Sequence, residues 1–393
     1  MNYHLMIDDK FINDFIADAE KLSPGNNIYI IDVLAENARH VTYDKAIFAP
    51  HYTELFDEAV KNVGEGDKVF LHWAADPAIE YVLKLPKTIE IGLFFWGGDV
   101  VEVPFSKFKK SVYGSKSLRL FDKYEEGRQK IKWNPLKPVR LYNSFIKRYR
   151  TYWQKEEQIW ESRKAFFLRL NYFLNWNVID HEWIQTHYKT SSVYTYFFYN
   201  FNPIPVGKGD NLVSPVSKEK PTTVLLGNSD TVTNNHLEIL DELAKFKSEN
   251  IKLIIPLNYG NKWYGDIVER KAIKIFGKDK VAALRTFMSR DEYYKILDQV
   301  DIAVMNHYRT QAAGNTLALF YRGKKVYIHE RSSTYQFLNS NGVVVGNSAE
   351  IGRISFEEFA TPFSETVKAQ NISKIDCLFS IVEKEKVLKK MLA

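Results

Sequence analysis

The stretch Thr222 to Leu243, TTVLLGNSDTVTNNHLEILDEL, decides the fold class, because a buried strand stops at Gly227 and a helix begins soon after it. Val224, Leu225 and Leu226 are an uncharged apolar run. Leu237, Leu240 and Leu243 then recur every third residue, as one face of a helix does. Between them Gly227, Asn228, Ser229 and Asp230 are turn formers, and Asn235 followed by Glu238 has the spacing of a capping box. A strand, a polar turn and a helix start leave backbone N–H groups directed at one point, which suits an anion.

The same arrangement recurs downstream. The strand Asp301 to Met305 runs into NHYRTQAAGNT, residues 306–316, followed by the helical run Leu317 to Arg322 and a further strand Lys325 to Ile328. Arg309 supplies a permanent positive charge, Gln311 and Asn315 supply donors, and Gly314 lets the backbone come close to a ligand. Two such turns in one sheet imply a diphosphate, placed on Asn228, Ser229, Arg309, Gln311, Gly314, Asn315 and Thr316. The nucleoside is expected against Arg285 to Ser289, hence Phe287 and Met288, with Asn258, Tyr259 and Gly260 lining the same cleft.

The pattern GNS, NNH, PLNYG, DEY, YRTQAAG and RGKKVYI, in that order, resembles the carboxyl-terminal half of the family 56 glycosyltransferases. Phe95 to Glu102, FWGGDVVE, resembles that family's Trp-Gly-x-Asp segment. The chain departs from the family where Gly-Ile-Gly-Thr becomes Ala312-Ala313-Gly314-Asn315. The resemblance implies an α/β protein of GT-B architecture: two facing Rossmann-like domains, with the sugar nucleotide on the second and the acceptor on the first. It implies a TDP- or UDP-linked deoxyamino sugar as donor and a glycan as acceptor, carried on a polyprenyl diphosphate in bacterial surface polysaccharide assembly.

At 393 residues the chain exceeds one ordinary core, and two domains are expected. An acceptor domain is assigned to residues 1–205, a nucleotide-sugar domain to 206–370, and a final helical segment to 371–393 that packs back on the first domain. In the first half, helix Lys10 to Leu22, strands Asn27 to Asp32, Ala46 to Phe48, Lys68 to His72 and Thr88 to Trp96, and later strands Asn177 to Asp180 and Val193 to Tyr199 predict a mostly parallel sheet. Functional groups then sit at strand ends: His72 after one, and Trp96, Gly97, Gly98, Asp99 and Glu102 after the next. Deprotonating an acceptor hydroxyl calls for a carboxylate or imidazole on this side. Asp99 is assigned that role, with His72, Asp8 and Glu102 behind it. A cap or buried hydrogen-bonding role for Asp99 stands beside it, and the sequence leaves inversion against retention open.

Other function classes recede. No G-x-G-x-x-G follows a strand, which argues against a dinucleotide dehydrogenase. No Asp-x-Asp occurs, so neither a metal nor another cofactor is called for. The single cysteine, Cys377, excludes an internal disulfide, and MNYHLMIDDK has no apolar leader core, so a cytoplasmic location is expected.

The net charge of +6 hides an asymmetry. Lys107 to Arg150 carries 14 Lys/Arg against three acids, within a basic aromatic helical insertion, residues 106–170 of the first domain, whose aromatics include Trp133, Trp153 and Trp160. This composition fits a solvated helical face, an anionic membrane surface holding the protein peripherally on the inner face of the membrane, or nucleic acid. No nucleic-acid motif accompanies the charge, so no nucleic-acid partner is assigned. A non-enzymatic nucleotide- or RNA-binding scaffold is the alternative to an enzyme, and nucleotide diphosphate binding under polynucleotide competition separates the two.

Overall fold

The computed structural model describes residues 1–101, 105–129, 138–200 and 220–393, and within these the side chains outside 105–106, 125–129 and 138–153. The chain divides into two compact units. The first comprises Met1–Lys107, Tyr142–Asn200 and Phe379–Ala393, the second Phe108–Leu141 and Phe201–Leu378. Residues 108–141 of the basic segment therefore group with the second unit, whereas the sequence reading set the whole insertion in the first.

The first unit holds strands β1 (Asn2–Met6), β2 (Asn27–Ile31), β3 (Ile47–Phe48), β4 (Lys68–Leu71), β5 (Glu90–Phe94), β6 (Tyr172–Asn175) and β7 (Val193–Tyr196). They form one sheet in the order β3-β2-β1-β4-β5-β6-β7. Every pairing is parallel, from Asn2↔Asn27 on one side of β1 and Asn2↔Lys68 on the other. Two expectations need correction. The central strand β1 was not foreseen, because Asn2 and His4 break its apolar pattern although both are buried. Asn177 to Asp180 is not a strand: the Asn177 side chain accepts from Ile179 N at 3.0 Å and starts the helix Val178–Tyr188.

The core of this unit joins distant stretches. Phe15, Ile16 and Ala19 of the helix Ile12–Leu22 pack with Ile31, Phe70 and Phe94, and with Leu388, Met391 and Leu392 of the helix Ile381–Leu392. The buried Lys384 of that helix bonds Asp18 at 2.7 Å and Asn200 at 2.6 Å. The tail, expected as one helical segment over 371–393, belongs to two helices, Glu365–Leu378 and Ile381–Leu392, divided between the units.

The second unit holds β8 (Thr222–Leu226), β9 (Ile251–Pro256), β10 (Val281–Leu284), β11 (Ile302–Met305), β12 (Lys325–Ile328) and β13 (Gly346–Asn347). Their order is β10-β9-β8-β11-β12-β13, again parallel throughout. In both sheets the winding reverses beside the first strand, at β1/β4 and at β8/β11. Ligands of open parallel sheets bind outside the strand ends at such a reversal.

The helix after β8 runs His236–Leu243 with Leu237, Ile239, Leu240 and Leu243 buried. The capping box expected from Asn235 and Glu238 does not form. Asn235 is left-handed at φ 50°, and its Oδ1 accepts from Gly114 N at 2.8 Å. Glu238 instead accepts from Lys116 N at 2.7 Å, Ser117 N at 2.8 Å and Ser117 Oγ at 2.6 Å, which caps the helix Ser115–Gln129. Tyr124 of that helix stacks on Trp263 with ring centroids 3.8 Å apart. These contacts are why the segment belongs to the second unit.

Candidate active site

In the second unit, a polar cluster spans the reversal between β8 and β11. Gly227 turns the chain out of β8 at φ 69°, and its N–H still bonds Val304 O of β11 at 2.9 Å. Asn228 N then donates to Asn234 Oδ1 at 3.0 Å. Across the gap, His307 Nε2 lies 3.1 Å from Asn228 Oδ1 and 2.9 Å from Asn234 Oδ1. Gln311 Nε2 donates to Asn228 Oδ1 at 3.1 Å and to Thr231 Oγ1 at 3.2 Å, while Thr233 Oγ1 donates to Gln311 Oε1 at 2.8 Å. Ser229 Oγ meets Thr231 Oγ1 at 2.9 Å and accepts from Asn234 Nδ2 at 3.1 Å. His307 facing two carboxamide oxygens is a donor at Nε2, and burial holds its pKa well below the ordinary imidazole value.

With its oxygen held by two donors, Asn228 has its Nδ2 fixed outward, donating to Tyr259 OH at 2.7 Å. Gly260, at φ 125°, follows, and a Cβ there would lie 2.6 Å from Asp230 Oδ1. Asp230 is 3% exposed, and burial raises its carboxyl pKa. Asn258 Nδ2 donates to Thr286 O at 3.4 Å. Of the residues expected at the nucleoside, Phe287 is 77% exposed and Met288 half-buried, on the loop that Asn258 reaches through Thr286. Arg285 is occupied by Asp266 and Glu269 at 2.8 and 2.6 Å.

The two turns differ in what they leave open. At the first, the N–H groups of Asn228, Asp230, Thr231, Asn234, Asn235 and His236 all have partners within the unit. At the second, the helix Ala313–Tyr321 follows Ala312, held left-handed at φ 56°. Its first intrahelical bond is Thr316 N to Ala312 O at 2.9 Å, so the N–H groups of Ala313, Gly314 and Asn315 precede the ladder, on half-buried residues. Asn315 Nδ2 lies 3.5 Å from Tyr293 OH. Arg309 Nη1 donates to Thr310 O at 2.6 Å, and the guanidinium acts on both His307 and Tyr259 electrostatically. The expected phosphate residues thus fall into two groups. Asn228, Ser229 and Gln311 are the framework, whereas Gly314 and Asn315 are at the open helix start and Thr316 closes its first turn. His307, Asn234, Thr231 and Thr233 were not singled out, although a histidine two residues past a buried strand end is a signal of the same kind as Arg309.

In the first unit, a line of polar groups crosses the reversal between β1 and β4. Asn27 Oδ1 faces His4 Nε2 at 3.3 Å, His4 Nδ1 faces His72 Nε2 at 3.0 Å, and His72 Nδ1 faces Tyr199 OH at 2.6 Å. Trp96 Nε1 donates to Tyr199 OH at 3.2 Å. The carboxamide oxygen can only accept, so His4 donates at Nε2 and accepts at Nδ1. His72 therefore donates at Nε2 and accepts from Tyr199. All donors point one way and both imidazoles are neutral. Burial lowers the His4 pKa to about 3 and that of His72 well below the ordinary value.

Asp99 lies in the first turn of the short helix Gly98–Val101, after Gly97 at φ 100°, and is 3% exposed. Its Oδ2 accepts from Ala74 N at 2.8 Å. The buried Arg163 donates to Asp99 O at 2.8 Å, Ala74 O at 2.9 Å and Asp76 Oδ1 at 2.8 Å, fixing the ends of β4 and β5 to each other. Asp8 is spent on the N–H groups of Arg39, His40 and Val41 at 2.6, 3.0 and 2.8 Å. Glu102 lies outside the described residues. Among the described residues no group of three or more His, Cys, Asp or Glu is arranged to hold a metal ion.

Two parallel sheets of this winding, the second with an open helix start at its reversal, are the parts of a GT-B fold. Solved structures of that class are similar over the whole chain. Sucrose-phosphate synthase from Thermosynechococcus elongatus matches 100% of this chain and 98% of its own at 8% identity, with a TM-score of 0.64. A UDP-forming α,α-trehalose-phosphate synthase from Burkholderia vietnamiensis matches 100% and 99% at 8% identity and 0.58. WaaG, a glycosyltransferase involved in lipopolysaccharide biosynthesis, matches 100% and 98% at 11% identity and 0.52. At these identities the likeness fixes the fold. Residues 178–350, which take in the whole second sheet, match the family described as 4-alpha-L-fucosyltransferase, glycosyl transferase group 56. Over these residues the chain is similar to the glycosyltransferases of group 56, and its fold is GT-B.

Proposed function

We propose that the chain moves a deoxyamino sugar from a TDP- or UDP-linked donor to a glycan acceptor carried on a polyprenyl diphosphate, in assembly of a bacterial surface polysaccharide of the enterobacterial common antigen type. The observation that carries the donor assignment is the open start of the helix Ala313–Tyr321, with Arg309 just before it, beside a rigid cluster at the β8/β11 reversal. As the glycosidic bond breaks, the leaving diphosphate gains negative charge. Three N–H groups, the helix dipole and a guanidinium offset that charge without a metal. Tyr259 and Asn315 border the same position. On the first unit, Asp99 takes the acceptor proton, its carboxylate fixed by Ala74 N and its backbone by Arg163.

The test is calorimetric titration with TDP and UDP in chelator, on wild type and Arg309→Ala. Binding of one nucleotide, weakened by the substitution, supports the proposal; a strict need for a divalent cation defeats it. Transfer to an acceptor glycan, absent from a binding scaffold, separates enzyme from scaffold.

The basic segment holds the protein peripherally to an anionic membrane, on its cytoplasmic face, where a lipid-linked acceptor resides. Among the described residues no helix is long and apolar enough to cross a membrane. Trp160 packs at 5.2 Å from Tyr188 and under Lys107, so it is part of the fold, while Trp133 and the side chain of Trp153 lie outside the described residues. Neutralising Lys107, Lys109, Lys110, Lys147, Arg148 and Arg150 should abolish sedimentation with phosphatidylglycerol vesicles and spare transfer to a lipid-free acceptor. Retained sedimentation removes the membrane role, and competition by RNA would favour the scaffold.

A further inference from the structure

We propose that the Trp96 indole is the surface on which a sugar ring of the acceptor stacks, and that Tyr199, His72 and His4 are positioning residues that set its orientation. The inference rests on the acceptor role proposed for the first unit. Trp96 follows β5 next to the β1/β4 reversal, and Gly97 turns the chain away immediately behind it. Trp73, just past β4, meets it edge to face with centroids 6.0 Å apart, and Phe11 does so at 5.8 Å. All three rings are half-buried at the C-terminal edge of the sheet, where loops gather ligands.

The line behind Trp96 is costly. It places two imidazoles and two carboxamides inside a sheet core in which Phe15, Phe70 and Phe94 surround the histidines. An apolar pair at positions 4 and 72 would fill the same space without desolvating any polar group. What the polar line adds is direction. Asn27 fixes the tautomer of His4, His4 fixes His72, His72 takes the Tyr199 proton, and the Tyr199 oxygen is left to accept the indole N–H. The ring is thereby held by its one polar atom at the far end of a chain that has one arrangement of hydrogens.

With its N–H donated to Tyr199 and the residue half-buried, what Trp96 leaves exposed is carbon surface. That surface suits the axial C–H face of a pyranose, which is apolar while its rim is polar. Asp9 Oδ1 accepts from Phe11 N at 3.1 Å, and Lys10 lies over the Phe11 ring at 5.1 Å. An aromatic face with a carboxylate and an ammonium beside it is suited to a hydroxylated or acidic sugar.

The experiment uses the full chain labelled with ¹⁵N-indole tryptophan, the Trp96 Nε1–H resonance being identified by its loss in Trp96→Phe. Methyl glycosides of glucose, galactose, N-acetylglucosamine and N-acetylmannosamine are titrated, with TDP and UDP as controls. At least one glycoside is expected to shift this resonance, and neither nucleotide. Tyr199→Phe removes the acceptor of the indole N–H and is expected to raise the acceptor KM about tenfold, ~1.4 kcal/mol, with kcat and nucleotide affinity unchanged. Trp96→Phe should bind the glycoside and Trp96→Ala should not. If no glycoside moves the resonance, or a nucleotide moves it as far, the proposal is overturned. It is overturned also if Tyr199→Phe lowers the melting temperature while leaving KM unchanged, since a merely structural line would do that. Loss of nucleotide binding alone would sink the donor assignment and leave this result standing.

Discussion

Replacing Gly227 by alanine tests whether the turn after β8 is a fixed framework. The residue sits at φ 69°, where an L side chain costs about 1–2 kcal/mol, offset by roughly 0.4–1 kcal/mol from the stiffer unfolded chain. The added Cβ would lie 2.5 Å from His236 Nε2 and 2.6 Å from Asn234 Oδ1. Both neighbours are buried, and Asn234 is held by Asn228, His307, Ser229 and Thr231, so it cannot yield without breaking bonds. Overpacking of this kind costs about 1–3 kcal/mol, which brings the total to ~1–5 kcal/mol, centred near 3. Gly342 is the control: it has φ 76°, and the nearest atom to its Cβ is Lys374 Cε at 3.7 Å, so alanine there should cost only about 1 kcal/mol. Urea unfolding followed by circular dichroism measures both, and nucleotide titration should show weakened binding for Gly227→Ala alone. Equal destabilisation of the two variants, or full nucleotide affinity in Gly227→Ala, would refute the account of the cluster as a rigid donor framework.

Ala312→Gly should stabilise the protein by about 1 kcal/mol, since alanine is held at φ 56°; an unchanged or lower urea midpoint would count against strain at that helix start. Arg309→Ala should lower turnover by about one to three orders of magnitude with the fold intact, measured as nucleotide release in chelator. Asp99→Asn should keep nucleotide binding and reduce transfer by roughly 10² or more; normal transfer would place the proton acceptor elsewhere or mean that configuration is retained. Because burial holds the His4 pKa at about 3, below its unfolded value of ~6.5, the unfolded chain binds the proton first. Stability is therefore full above pH ~6.5 and falls, by up to about 1.4 kcal/mol per pH unit, as pH drops toward 3. His4→Gln should flatten the fall in urea midpoint between pH 6.5 and 4.5 relative to wild type, and parallel profiles would exclude the effect.

The second sheet was legible because its strands are uniformly apolar and end in turn formers, as at Leu226-Gly227 and Met305-Asn306. The first was less so. Strand β1 is interrupted by Asn2 and His4, which a single sequence reports as polar and surface-bound; only their partners, Asn27, His72 and Leu392 O, explain their burial. Helix caps misled for a related reason. Asn235 and Glu238 have the spacing of a local box, but each found a partner more than a hundred residues upstream, which no window can display. Of the site, Asn228, Gln311 and Asn315 were visible as turn residues. His307, Tyr199 and Arg163 were not, since their roles depend on groups brought together by the fold.

The discontinuity of the first unit bears on how it is made. Asn2 Nδ2 donates to Leu392 O at 2.8 Å, and Leu388, Met391 and Leu392 close the core around Phe15 and Ile31. On a ribosome those residues emerge after the whole second unit. The part of the first unit synthesised first thus waits, with an apolar face uncovered, for its final helix, and the second unit is free to close before it. Newly made chains should depend on chaperones in proportion to that delay, and a nonsense codon anywhere before Ile381 should leave the first unit without its lid and not merely without a tail.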